Sequence, residues 1–208
     1  MPAVLALGQT ASLGSLAVSS SDAPDPITAK ERVRWVVAST VGPASLAAGL
    51  FSAGWGTLFN VPREYGPHWQ GYGERYAMRL TGIATSNAIE AGLGSLWGED
   101  PRYVRAAGAP LGNRIGHIVK MTVLAQNRDG KTMPAYARYI AIPSSNFLSN
   151  TWRADSEATV GRASLRIGLG FLGRMGGNAF EEFWPDARQR FFSKESPNRS
   201  VQRTVGTE

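Results

Sequence analysis

The chain has 208 residues, room for one domain with a sizeable core. It carries 22 Lys and Arg against 16 Asp and Glu, and the net charge of +6 suits an acidic partner: nucleic acid, anionic lipid or a lipopolysaccharide-like envelope component, although a small surplus, mostly Arg and spread along the chain, reads first as a solvated surface. With no cysteine and only His68 and His117, disulfides, thiol nucleophiles and Cys-based zinc sites are excluded, and no metal or cofactor is expected.

Residues 1–25 contain no charge before Asp22. An apolar start, small residues and then a Ser/Pro stretch read as a leader or signal-peptide remnant without a basic first segment, and point to export. A helical domain is expected over 26–195, followed by a polar, disordered tail over 196–208.

The domain opens on "DPITAKERVRWVV", where Thr28 and Glu31 have the spacing of a capping box. Val33, Val36, Val37 and Val41 then form one apolar face, which Gly42-Pro43 interrupts. A second helix is expected over 45–59, with Ala48, Ser52 and Gly56 as a small-residue face. A third is expected from Glu74 to Trp97. Its second half carries one charge, Glu90, which shares a face with Gly82, Ser86 and Gly94. "GEDPRY" ends it, because residues before proline avoid the α region.

Residues 113–126 have helical apolar spacing at Ile115, Ile118, Val119 and Thr122. "NRDG" is a turn. A hairpin across it is the alternative for 113–142, but neither flank alternates well and helices are preferred. A proline-interrupted helix follows. The last long helix is expected from Ser156, capped by Asp155, to Phe183, with Pro185 opening a new helix and Asp186 paired to Arg190.

Glycine is abundant, at 24 residues, and much of it lies inside apolar stretches. Residues 168–173 match G-x-G-x-x-G, but no strand precedes them, so no nucleotide site is read there. Gly173 and Gly177 instead read as a small-x-x-x-small face. The second, third and last helices are expected to cross closely on such faces. No stretch reaches about 18 uninterrupted apolar residues, which favours a membrane-apposed bundle over a spanning helix. The six Trp lie mostly near expected helix ends, as in an interfacial belt or at the rim of a core.

Glu90, alone among apolar neighbours, either pairs with a cation or acts as a general acid or base. There is no G-x-S-x-G elbow. His68 and His117 read as structural. Glu181 and Glu182 stand at the negative end of their helix and call for a distant cation. Arg102 of "EDPRY" and Arg153 of "TWRAD" are the candidates, with Glu182 the residue expected to pair. With Glu90, Asp100, Tyr103 and Asp186, these residues make up the candidate functional or structural cluster.

The blocks "SAGWGTLFN", "PREYGP", "GYGERY", "MRLTG", "GEDPRY", "SNTWRADSEATVGRA" and "NAFEEFWPD" together resemble an uncharacterised family of small exported bacterial proteins, across roughly residues 45–192. The resemblance implies export and an envelope setting, and brings no activity, cofactor or catalytic residue. The expectation is an all-α, glycine-rich bundle of about five to six helices, structural or membrane-apposed. Its rivals are an envelope hydrolase using Glu90 and His117, and a basic nucleic-acid-binding protein.

Overall fold

In the computed structural model, residues 26–192 are described; the leader and tail expectations lie outside them. The chain is all-α, with α1 (Ala29–Val41), α2 (Pro43–Leu58), α3 (Trp69–Trp97), α4 (Leu111–Val123), a short hairpin of β1 (Leu124–Gln126) and β2 (Thr132–Pro134), α5 (Tyr136–Leu148) and α6 (Val160–Phe192).

α1 starts on the capping box: the Thr28 amide donates to Glu31 Oε2 at 2.8 Å and the Glu31 amide to Thr28 Oγ1 at 3.3 Å. Gly42 is extended, so α1 and α2 are separate helices, and Pro43 occupies the first turn of α2, where a missing N–H costs nothing. The two run along α3 in the opposite direction. Arg32 reaches the Glu99 carbonyl (2.8 Å), Asn87 donates to Thr40 (3.1 Å), and Arg79 donates to the Ser45 carbonyl (3.0 Å). α3 begins earlier than expected, because His68 Nδ1 accepts from the Gly71 amide and caps it. α5 covers another face of α3, and α6 packs on α4 and α5.

The 113–142 segment combines both sequence readings. Helices α4 and α5 flank a three-residue antiparallel pairing in which Leu124 faces Pro134 and Gln126 faces Thr132. α6 begins at Val160, not Ser156; Thr159 Oγ1 accepts from the Arg162 amide, and Asp155 lies in the preceding turn. It then runs unbroken through Pro185, which therefore ends no helix. A proline in mid-helix removes a donor and tilts nearby carbonyls outward. Here the Glu182 carbonyl accepts from Arg105 Nε (3.1 Å) and Nη2 (2.8 Å) and from Arg114 Nη2 (2.8 Å), so this turn is bonded from outside.

The glycine faces differ from the expectation. On α2 the inward residues are Gly49, Ala53 and Gly56, whereas Ala48 and Ser52 are exposed. A Cβ at Gly49 would lie 2.8 Å from the Tyr76 ring, and one at Gly56 2.9 Å from Arg75 Cδ. On α6 only Gly170 is tightly met, 2.8 Å from Ile142, while Gly173 and Gly177 face open space. The G-x-G-x-x-G run is likewise interior to α6, not a strand-to-helix turn. At Gly71 a Cβ would collide with the Tyr65 carbonyl oxygen. Thermal unfolding in mild detergent is thus expected to show Gly71→Ala strongly destabilised. Gly173→Ala and Gly177→Ala are each expected to gain up to about 1 kcal/mol of helix propensity. A loss of stability in the two α6 variants would return that face to the packed interior.

Candidate functional site

The interior is polar to an unusual degree. Its apolar part is largely alanine (Ala53, Ala91, Ala125, Ala135, Ala137, Ala141 and Ala163) with Ile118, Met121 and Ile142. Among these lie buried charges, which are rarely enclosed unless paired. Large apolar side chains are half-buried, as Leu46, Ile83, Ile89, Leu93 and Ile167 are, or exposed, as Phe51, Leu58 and Trp69 are.

Glu90 is 3% exposed on α3 and Arg138 2% exposed on α5. Arg138 Nε donates to Glu90 Oε1 at 3.0 Å, and Arg174 of α6 approaches the same oxygen at 3.3 Å. Arg138 also donates to the Met121 (2.9 Å) and Thr122 (2.8 Å) carbonyls, capping the end of α4. Burial, with Arg174 nearby, lowers the Arg138 guanidinium to about 10, and Glu90 opposes that shift. Arg174 donates onward to the Pro101 carbonyl and lies 5.2 Å from the Trp35 ring centre. Three helices and the loop after α3 thus meet on one buried carboxylate.

A second cluster joins the "GEDPRY" segment and the loop after it to the "NAFEEFWPD" stretch of α6. Glu182 is wholly buried. It accepts from Arg114 Nε (2.6 Å), the Tyr103 hydroxyl (3.0 Å) and the Ala106 amide (3.0 Å). Burial alone would raise its carboxyl, but these donors hold it below the ordinary value of 4.5. Burial, and then donation to Glu182, raise the Tyr103 phenol. Asp186 takes Arg114 Nη2 (2.6 Å) and Arg105 Nη2 (2.9 Å), and these cations lower it.

The expected cation of Glu182 was misassigned. Arg102 turns back onto Asp100 (2.7 Å) and toward Glu31 (3.6 Å). Arg153 donates to Ser149 (3.1 Å) beside Gly82. Asp186 pairs with Arg105 and Arg114, and Arg190 is exposed. Glu181 is exposed and makes no hydrogen bond or ion pair among the described residues. Arg105, Arg114, Arg138, Arg174 and Glu99 were missed. Glu99, buried, accepts from the Trp97 indole (2.9 Å) and the Ala137 amide (2.9 Å). Arg138 was legible by the reasoning applied to Glu90, since it too is one charge in an apolar helix.

Glu90 and His117 form no hydrogen-bonded pair. Glu90 is enclosed by arginines, while His117 Nε2 bonds the Val104 carbonyl (2.8 Å) with its ring edge-on to Tyr103. A cleft of about 350 Å³ lies at the other end of the bundle, lined by Asn60–Glu64, Ser156, Glu157 and Arg162, away from both clusters. Among the described residues no three His, Asp or Glu side chains gather as a metal site. What the two clusters do chemically is hold charge and join chain segments.

In comparison with known proteins, the chain matches no family model, no curated protein and no solved structure.

Proposed function

We propose that the protein is a structural, membrane-apposed protein of the cell envelope, with the apolar outer face of α1 and α2 seated against lipid. The observation that carries this is the inverted arrangement of polar and apolar side chains. Inside, Glu90, Asp100 and Glu182 are paired with arginines and Arg32 and Arg75 donate to carbonyls, while Phe51 (73% exposed), Leu58 (75%) and Trp69 (84%) stand outside with Val33, Val37, Val41, Leu50 and Trp55. No charge occurs between Arg34 and Arg63, and the Ala29–Leu58 stretch is long and apolar enough to cross a membrane by length and composition. Water-soluble proteins seldom expose a contiguous apolar face of this extent, and lipid accepts it without cost. The Glu90–Arg138–Arg174 and Glu182–Arg114 pairings hold small-residue helices to one another where no hydrophobic effect draws them together. Trp55, Trp69, Trp97 and Trp184 are exposed, as suits an interfacial belt.

The test is flotation of the full chain on neutral phosphatidylcholine vesicles. The chain is expected to rise with the vesicles, and Phe51→Asp with Leu58→Asp to lower binding at least tenfold, with helical circular dichroism unchanged. A chain that stays soluble and monodisperse without detergent, and ignores neutral vesicles, would overturn the proposal.

A further inference from the structure

Although arginine is spread along the sequence, the fold does not leave the positive charge spread. We propose that the protein meets anionic lipid headgroups with one end of the bundle only: the end formed by the start of α1, the β1–β2 turn and the end of α6. This rests on the membrane reading above and adds to it the headgroup chemistry and the orientation.

The three segments are brought together by specific contacts. Glu31 of α1 reaches Arg102, 3.6 Å away. The Asp100 amide donates to the Gln126 carbonyl at 2.8 Å, which ties the hairpin to the same loop. Arg128 in the turn donates to the Ser95 carbonyl at 3.2 Å, near the end of α3. Arg105, farther along the loop, holds Asp186 of α6 at 2.9 Å.

At this end four acids are held by arginine. Glu31 is held by Thr28 and Arg102, Asp100 by Arg102, and Glu182 and Asp186 by Arg105 and Arg114. Glu99 is buried inside the bundle, where its Oε2 accepts from Trp97 and Ala137 and its Oε1 has no partner among the described residues. The cations are not occupied in the same way. Lys30, Arg34, Arg128, Lys131, Arg188 and Arg190 are exposed, and none forms a salt bridge with a carboxylate among the described residues. Asp129 and Glu181 are the exposed acids set against them.

At the opposite end the exposed charges balance: Arg63 and Arg162 stand with Glu64 and Asp155. Glu157 takes Arg166 (3.4 Å) and Arg162 (3.9 Å), and Glu64 accepts from the Ser156 amide (3.3 Å). Arg75, Arg79 and Arg153 there are not exposed and donate to carbonyl and hydroxyl oxygens. It is the exposed positive charge that gathers at the first end.

Lys30 and Arg34 are one turn apart, and Val33, Val37 and Val41 follow on the same side of α1, all exposed. Cations bordering an apolar stripe are the arrangement that meets phosphate headgroups while the stripe meets acyl chains. Each cation near such a surface contributes about a fivefold gain in binding, which salt screens.

Flotation of the full chain tests this with phosphatidylcholine vesicles and with vesicles in which about a third of the lipid is phosphatidylglycerol. At low salt, at least tenfold tighter binding to the anionic vesicles is expected, with the preference gone at high salt. Lys30→Glu, Arg34→Glu and Lys131→Glu together should abolish the preference yet leave binding to neutral vesicles. Arg63→Glu, at the other end, should leave the preference intact. Equal binding to both vesicle types, or a preference that survives the triple change or falls equally with Arg63→Glu, overturns the proposal. So does a triple-sensitive association with duplex DNA in place of vesicles. Loss of neutral binding alone sinks the membrane reading while leaving this one standing.

Discussion

Glu182→Ala is expected to lower the unfolding free energy by about 3–5 kcal/mol, because it removes one partner of a buried ion pair and leaves buried donors without an acceptor. Arg114 would keep Asp186 (2.6 Å), but Tyr103 and the Ala106 amide would lose their acceptor in the interior. The milder Glu182→Gln keeps the shape and separates charge from packing. A double-mutant cycle of Glu182→Gln with Arg114→Gln should show coupling above about 1 kcal/mol, whereas the cycle with Arg102→Gln should be additive. The pH dependence follows from the lowered carboxyl. Its folded value is below the ordinary 4.5, so its stabilisation is complete above about that pH and is lost as pH falls through the folded value. Denaturant melts below pH 4.5 should therefore show a shallower acid loss in Glu182→Gln than in the parent chain. A cost under about 1 kcal/mol for Glu182→Ala would mean that water reaches the carboxylate.

Glu90→Gln is expected to be of similar severity, about 3–5 kcal/mol, since it leaves Arg138 charged and 2% exposed with carbonyls alone as acceptors. Replacing both partners, Glu90→Leu with Arg138→Met, should recover part of the loss, because the two apolar groups need no counter-charge and Arg174 keeps the Pro101 carbonyl and the Trp35 ring. This pattern identifies a structural carboxylate. A catalytic one would behave in the opposite way, with Glu90→Gln folding normally and the biological phenotype lost. Unfolding midpoints of the single and paired variants, measured in mild detergent, separate the two outcomes.

The two clusters were legible to different depths. That Glu90 needs a cation follows from one charge in an apolar helix. Glu182 does meet a cation, but the helix terminus from which this was expected is not there, since α6 runs on to Phe192 and its neighbour Glu181 is exposed. Which arginine answered was not local. Arg114 precedes Glu182 by 68 positions, and α4 meets α6 only because the loop after α3 carries the chain across. Arg102 and Arg153 lay beside helix boundaries, as expected, but their nearest partners are Asp100 and Ser149. Pro185 shows the same division. The local rule ends a helix there, yet Arg105 and Arg114 bond the Glu182 carbonyl from another segment, and α6 continues to Phe192.

Features that depend on neighbours a few residues apart are legible in the chain alone: the capping box at Thr28, the break at Gly42-Pro43, the helical class, and the need of Glu90 for a partner. Direction is set by packing in three dimensions. On α2 and α6 glycine, alanine and uncharged apolar residues occur all round the helix, so spacing alone does not show which side turns inward. Packing against α3 chose Gly49, Ala53 and Gly56 on α2, and packing against α5 chose Ala163 and Gly170 on α6, leaving Gly173 and Gly177 open. Charge is the clearest case. A sum over the chain yields +6, but the fold buries or pairs most carboxylates at one end and leaves Lys30, Arg34, Arg128, Lys131, Arg188 and Arg190 there exposed. Pairing is a property of distance in space, and the sequence records only distance along the chain.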